Sequence, residues 1–215
     1  MMDDDSTVAH CFLYEKTLSF CPHYPKFSDK TLLEIGCGLG GGLEWIKRSH
    51  PEIKELIGLD KIVADVIRSS KVVQGEAENL PFQRESFDIV LNVESSHLYA
   101  SMTKFFEEVH RVLKPGGYFC WADLRLRGQM QSVIEEGESE GFNLVHFKIV
   151  TPQVLRGLHF TSMRYDKLME EAPWYVRLFK ATLRETYCAP GTKTFEQYRC
   201  DEKQYAIACW KKPRY

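Results

Sequence analysis

Five glycines fall within the seven residues from Gly36 to Gly42, inside the stretch LLEIGCGLGGGLEWIK (32–47). An apolar run, TLLEI (31–35), precedes them and a helical pattern follows. Strand, bare turn, helix is the order in which backbone N–H groups at a helix start face a ligand. Gly36, Gly38 and Gly41 satisfy GxGxxG, while Glu34, Gly36, Gly38 and Gly40 satisfy (D/E)xGxGxG. Asp60 stands directly after a second apolar run, ELIGL (55–59), and twenty positions beyond Gly40. An acid there can accept hydrogen bonds from both hydroxyls of a ribose in either system. The pair indicates an adenosine-type ligand and leaves its identity open. The competing explanation is structural: glycines for a tight turn, and Asp60 as a strand-end cap.

The rest of the chain reads as an α/β series. KVVQ (71–74), FDIVLN (87–92), YFCWAD (118–123), FNLVHFKIV (142–150) and QYAIACW (204–210) complete a set of seven strands. The nearly continuous hydrophobicity of the first five suits parallel strands buried on both faces. SMTKFFEEVHRVLK spaces Met102, Phe105, Phe106, Val109, Val112 and Leu113 as one helical face, ending at KPGG. A leading helix is expected around His10–Phe20 and others over 125–140, Pro152–Glu170 and Trp174–Tyr187. The expected fold is a doubly wound, mostly parallel seven-stranded sheet in one domain (1–215). Residues 151–203 are too many for a loop and form a helical insertion before the last strand, a candidate lid.

With 215 residues and 44% hydrophobic content, the chain can bury a full core. A net charge of −2 without a basic block argues against a nucleic-acid or anionic-membrane surface. The opening MMDDDSTVAHC lacks the order of a signal peptide, and no apolar run reaches membrane-spanning length. A soluble, cytoplasmic protein with no membrane insertion is expected. The seven cysteines form no CxxC pair, so reduced core thiols rather than a metal site are expected.

Downstream segments separate the candidate ligands. GCGLGGG, GEAENLPF, NVESSHLY and RVLKPGGYFCWADLR together resemble the class I S-adenosylmethionine-dependent methyltransferases, closest to small-molecule O-methyltransferases of the phthiotriolone type. The resemblance covers roughly residues 12–150 and the last strand. It implies that Gly36, Cys37, Gly38 and Gly40 admit the amino-acid part and ribose of S-adenosylmethionine, with Glu34 holding the turn. It further implies that Asp60 takes the ribose hydroxyls, that Lys61 and Ile62 flank the adenine, and that Glu76 and Ala77 lie at its edge. Asn92 and Val93 would pass beside the methionine part. Two departures stand out: Glu76 where relatives more often carry Asp, and only fifteen positions between Asp60 and Gly75, which makes KIVADVIRSS a shortened helix.

NVESSHLY leaves the fourth strand at the edge where ligands of such sheets lie. His97 and Glu94 are therefore candidates for deprotonating or orienting the acceptor, since an imidazole titrating near neutrality can take a hydroxyl proton. The alternative is that His97 only hydrogen-bonds its loop and Glu94 is a structural acceptor. Tyr14, Tyr99, Trp174 and Tyr175 are candidate acceptor contacts, from the leading helix, the fourth-strand loop and the aromatic-rich insertion. The expected reaction is methyl transfer to a small, hydrophobic acceptor at oxygen. Two other readings remain: a nicotinamide-dependent dehydrogenase, allowed by GxGxxG, and a protein that holds the cofactor without transferring methyl.

Overall fold

A computed structural model of the chain describes residues 5–63 and 71–214. Seven strands form one sheet: β1 (Thr31–Ile35), β2 (Glu55–Asp60), β3 (Lys71–Gln74), β4 (Phe87–Val93), β5 (Leu113–Leu126), β6 (Asn143–Ile149) and β7 (Lys203–Lys211). Their spatial order is β3-β2-β1-β4-β5-β7-β6, with β7 antiparallel to both neighbours and the other pairings parallel. The doubly wound, seven-stranded expectation holds. The shortened helix read from KIVADVIRSS falls, over residues 64–70, outside the described residues.

The missing alternation in the strands has a direct cause. Leu33, Val90, Phe119 and Trp210 face one core, and the adjacent Leu32, Ile89, Cys120 and Cys209 face a second on the other side of the sheet. Helix α3 (Met102–Val112) covers the first core, inserting fully buried Phe105, Phe106, Val109 and Val112. Burial of each such side chain contributes roughly 1.5–3 kcal/mol. Its start is capped by Ser101, whose hydroxyl accepts from the Lys104 N–H at 3.2 Å. Helices α1 (Asp5–Leu18) and α2 (Gly41–Ser49) belong to the opposite face, where Leu18 and Ile46 join the second core.

Several boundaries differ from the sequence expectation. The helix ends at Val112, before KPGG, and Leu113 already pairs with Phe87 in the sheet. Pro115 disfavours helical geometry for Lys114, and the stretch becomes an irregularity within a long β5, with Gly116 at φ +82°. β5 also runs on through Leu126 because β7 offers it partners as far as Leu126–Lys203. The following helix, α4 (Met130–Ser139), therefore starts later than expected.

Between β6 and β7 lie α5 (Thr151–Glu171), α6 (Trp174–Arg177), α7 (Lys180–Thr186) and α8 (Lys193–Arg199). The single helix expected over Trp174–Tyr187 is thus two short ones. α8, not anticipated, is capped by the Thr192 hydroxyl accepting from the Phe195 N–H.

α1 and α2 meet at Gly42 and through Trp45 Nε1, which donates to Glu15 at 3.1 Å. A Cβ at Gly42 would lie 2.2 Å from the Tyr14 ring, whose hydroxyl donates to Glu34 at 2.6 Å. Gly41 next to it faces open space. Gly42→Ala is therefore expected to lose about 1–3 kcal/mol in urea unfolding through overpacking. Gly41→Ala is expected to be neutral or to gain up to about 1 kcal/mol. Equal effects of the two would show that Tyr14 is not pinned there.

Candidate functional site

The sheet changes its direction of growth at β1: β2 lies on one side of it and β4 on the other. Loops leaving such neighbouring strand ends diverge and open a crevice at the carboxyl edge. A cavity of about 220 Å³ lies there, lined by Gly36, Leu59, Asp60, Lys61, Glu76 and Tyr99, with Ala77 and Ser95 among the others.

The glycine turn forms one wall. Gly36 has φ +73°, and a Cβ on it would come within 2.3 Å of Ser95 Oγ and 3.0 Å of Tyr99 Oη. The close neighbour at this point is thus the protein's own loop after β4. Gly38, at φ +53°, differs: a Cβ there would meet nothing within 4 Å, so bare backbone borders open space. The Gly38 N–H donates to Asp60 Oδ2 (2.8 Å) and the Ile62 N–H to Asp60 Oδ1 (3.0 Å). Gly36 and Cys37 donate their N–H groups to the Leu59 carbonyl at 2.7 and 3.1 Å. Asp60 therefore caps the turn and also lines the cavity. A carboxylate has about four acceptor sites, so two bonds to backbone leave capacity for a pair of ribose hydroxyls. The residues present fit an adenosyl ligand.

At the mouth, Lys61 Nζ pairs with Glu76 Oε1 at 3.1 Å, both exposed. Ala77 is buried against the cavity, whereas Ile62 is exposed outside its lining. Gly40 begins α2 as its N-cap at φ +78°, and Cys37 is buried with its thiol pushed up to about 12 by burial and then by the charges of Glu34 and Asp60. Asn92, fully buried on β4, places its Nδ2 2.9 Å from the Ile35 carbonyl, 2.7 Å from Ser95 Oγ and 2.9 Å from Tyr99 Oη. Its Oδ1 has no partner in the protein, and the same is true of the second oxygen of fully buried Glu34. Val93 is buried at the end of β4 without lining the cavity.

A second polar centre lies beside the first. His97, in a short turn after β4, has Nδ1 2.7 Å from Oδ1 of Asp123, a fully buried carboxylate near the end of β5. Asp123 Oδ2 accepts from the His97 N–H (2.8 Å) and Ser96 Oγ (2.6 Å), and Arg125 lies 3.2 Å away. Burial raises the Asp123 pKa, yet the bonds from His97 and Ser96 and the nearby positive charges hold it below the usual aspartate value. An ionised carboxylate can only accept, so Nδ1 of His97 carries a proton and its Nε2 is the free acceptor in the neutral ring. Ser96 is itself braced by Trp121 Nε1 (2.8 Å) and Arg125 (2.9 Å). Sequence reading singled out His97 and passed over Asp123; the signal was an acid at the end of the strand neighbouring the His97 loop.

The other candidates are spread out. Glu94, at φ +52°, donates its N–H to the Ala122 carbonyl. Burial pushes up the hydroxyls of Tyr14, Tyr198 and Tyr205; Glu94 comes next for Tyr205, after the charge and bond of Glu34 for Tyr14, and after the Cys188 thiol for Tyr198. Tyr99 lines the cavity, while Tyr14 sits behind the glycine turn, bonded to Glu34. Trp174 and Tyr175 are exposed on α6, outside the cavity. Among the described residues no cluster of His, Cys, Asp and Glu is arranged to hold a metal ion.

Comparison with known proteins agrees with this geometry. Residues 33–121 match the family described as methyltransferase domain. The chain is 33% identical, over 97% of its length and 78% of the other, to a phthiotriol/phenolphthiotriol dimycocerosates methyltransferase of Mycobacterium tuberculosis. It is 31% identical to a fatty-acid O-methyltransferase of Mycolicibacterium smegmatis, over 86% of this chain and 68% of that one. Among solved structures, phosphoethanolamine N-methyltransferase 2 of Haemonchus contortus, in complex with S-adenosyl-L-methionine, superposes with a TM-score of 0.76. That likeness, at 17% identity over 98% of this chain and 57% of that one, is one of fold.

Burial, opposed by the Tyr14 hydrogen bond and reinforced by Asp60, raises Glu34 from 4.5 to about 7. The folded chain then holds a proton that the unfolded chain releases, so this group makes stability fall as pH rises from 4.5 to about 7. Glu34→Gln removes that slope. Relative to wild type it should gain stability with rising pH, reaching on the order of 3 kcal/mol at most, as read by urea unfolding. Parallel pH profiles for the two proteins would contradict a buried, protonated Glu34.

Proposed function

The chain belongs to the S-adenosylmethionine-dependent methyltransferases, and from that premise we propose that it methylates a small, hydrophobic acceptor at a hydroxyl oxygen. The observation that carries the choice of acceptor is the His97–Asp123 pair, 2.7 Å apart. A carboxylate acceptor has no proton to lose at neutral pH, and a hydroxyl does; a histidine oriented through Nδ1 suits the second. The donor supplies a methyl group on a positively charged sulfonium, whose transfer gains from alignment and exclusion of water. Asp60 binds the ribose hydroxyls of the donor, and bare backbone at Gly38 lets the ligand lie against the turn. Lys61, Glu76 and Ala77 border its adenine. The unpartnered oxygens of Glu34 and Asn92 suit an ammonium, such as that of the donor's methionine part. His97 Nε2 takes the acceptor proton as the oxygen attacks, while Asp123 keeps the ring in the required tautomer. Residues 151–203 act as the acceptor-side lid of a single domain, and Tyr99 and Glu94 face the acceptor.

A second reading, a carboxylate acceptor, is favoured by the similarity to a fatty-acid O-methyltransferase. Isotope-labelled donor incubated with a long-chain alcohol, an alkylphenol, a fatty acid and an alkylamine separates the cases. Label should enter the alcohol or phenol; label in the amine alone would overturn an oxygen acceptor.

His97→Ala should lower turnover by about 10²–10⁴-fold with nearly unchanged affinity for S-adenosylhomocysteine. Asp123→Asn, which can donate to Nδ1 and favour the wrong tautomer, should lose turnover in the same direction. If fatty-acid methylation proceeds at full rate in His97→Ala, the carboxylate reading replaces the hydroxyl one.

A further inference from the structure

Half of the large apolar side chains exposed among the described residues, seven of fourteen, lie between positions 160 and 179. They are Phe160, Met163, Leu168, Trp174, Tyr175, Leu178 and Phe179, each between 51% (Leu168) and 72% (Leu178) exposed. α6 and α7 both contact α5, so these side chains belong to one helical layer on the outside of the molecule. Apolar surface concentrated in this way marks an interaction face, where scattered single residues would not.

The charge in the same layer says which kind of partner covers it. From Ala172 to Arg184 the sequence APWYVRLFKATLR carries Arg177, Lys180 and Arg184 and no acid. Arg184 is paired with Asp166; Arg177 is exposed and Lys180 partly so. On α5, Arg156 and Lys167 are exposed one turn before and two turns after Phe160. The acids of the layer are Asp166, exposed Glu170 and Glu171 at the end of α5, and exposed Glu185. α5 to α7 thus carry six basic and four acidic residues, a small excess that the whole-chain charge of −2 conceals. Tryptophan and tyrosine with interleaved basic residues match a lipid headgroup boundary, where rings sit at the polar–apolar border and cations meet anionic lipid. An isologous dimer through this face would instead bring two patches of the same basic excess together.

We propose that the α5–α6 face is a peripheral docking surface for an anionic lipid bilayer. It lies in the interface without crossing it: no helix among the described residues is long and apolar enough to span a membrane. The proposal goes beyond the acceptor reading and is tested without donor or acceptor present, so either can fail alone.

The test is flotation of the whole protein with vesicles of phosphatidylcholine, alone or mixed in equal parts with phosphatidylglycerol. Wild type should float with the mixed vesicles at low salt, bind neutral ones far less, and be released as salt rises. Leu178→Ser with Phe179→Ser, and separately Arg177→Glu with Lys180→Glu, should each weaken binding about tenfold or more. Both double variants alter exposed positions, and retention of the thermal shift with S-adenosylhomocysteine verifies that they fold. No flotation of wild type, or flotation of both double variants equal to wild type, would overturn the proposal. So would a wild-type dimer in sedimentation that Leu178→Ser with Phe179→Ser dissolves, which would assign the face to a second copy.

Discussion

Adjacent strand ends whose chains depart in opposite directions leave a gap, and main-chain groups at that gap must find partners. Here β1 and β4 create it, and β2 closes one side with its own terminus. The Leu59 carbonyl takes two N–H groups of the glycine turn and the Asp60 carboxylate takes a third. From the other side, Ser95 and Tyr99 fold back onto Gly36, held by the buried amide of Asn92. The cavity is what remains between these two closures. Its shape follows from backbone satisfaction as much as from any ligand.

Two buried acids, Glu34 on β1 and Asp123 on β5, carry opposite electrostatic histories. Glu34 meets one hydroxyl donor and the charge of Asp60, so desolvation wins and its pKa rises to about 7. Asp123 is as deeply buried, yet it meets His97, Ser96 and Arg125, and its pKa falls. Burial pushes both upward, and the count of donors and cations decides whether it prevails. The consequence is a division of labour. Asp123 stays charged at neutral pH and can stabilise a positive imidazole, whereas Glu34 carries a proton readily lost when a cation comes near.

The glycine turn, the seven strands and the acid at the end of β2 were legible because each rests on local pattern: apolar runs, helical spacing, a motif of fixed offsets. What escaped depended on distant partners. Gly42 reads as part of a ligand loop, but the Tyr14 ring occupies the space a side chain would need. Asp123 looks like any polar strand end until the turn after β4 brings His97 over it. KPGG resembles a helix stop followed by a turn, yet Leu113 pairs with Phe87, and backbone bonds of Gly116 and Gly117 with Lys212, just past β7, hold it as an irregularity within β5. Splitting of the 174–187 helix and formation of α8 are different, since they turn on short local breaks.

The helices between β6 and β7 are tied to the sheet at a narrow base. The Val150 N–H donates to the Tyr205 carbonyl at 2.7 Å, and the Tyr205 N–H donates to the Thr151 hydroxyl at 2.9 Å. All three residues are buried, so the chain enters and leaves this segment through one dry, hydrogen-bonded neck. Tyr205 in turn opposes Leu124 across the β5–β7 ladder, one residue from Asp123. Position is thus transmitted from the neck to the His97 support through sheet hydrogen bonds rather than through the helices themselves. α5 to α7 can then expose aromatic and basic side chains while Asp123, which holds the His97 ring, stays anchored in the sheet.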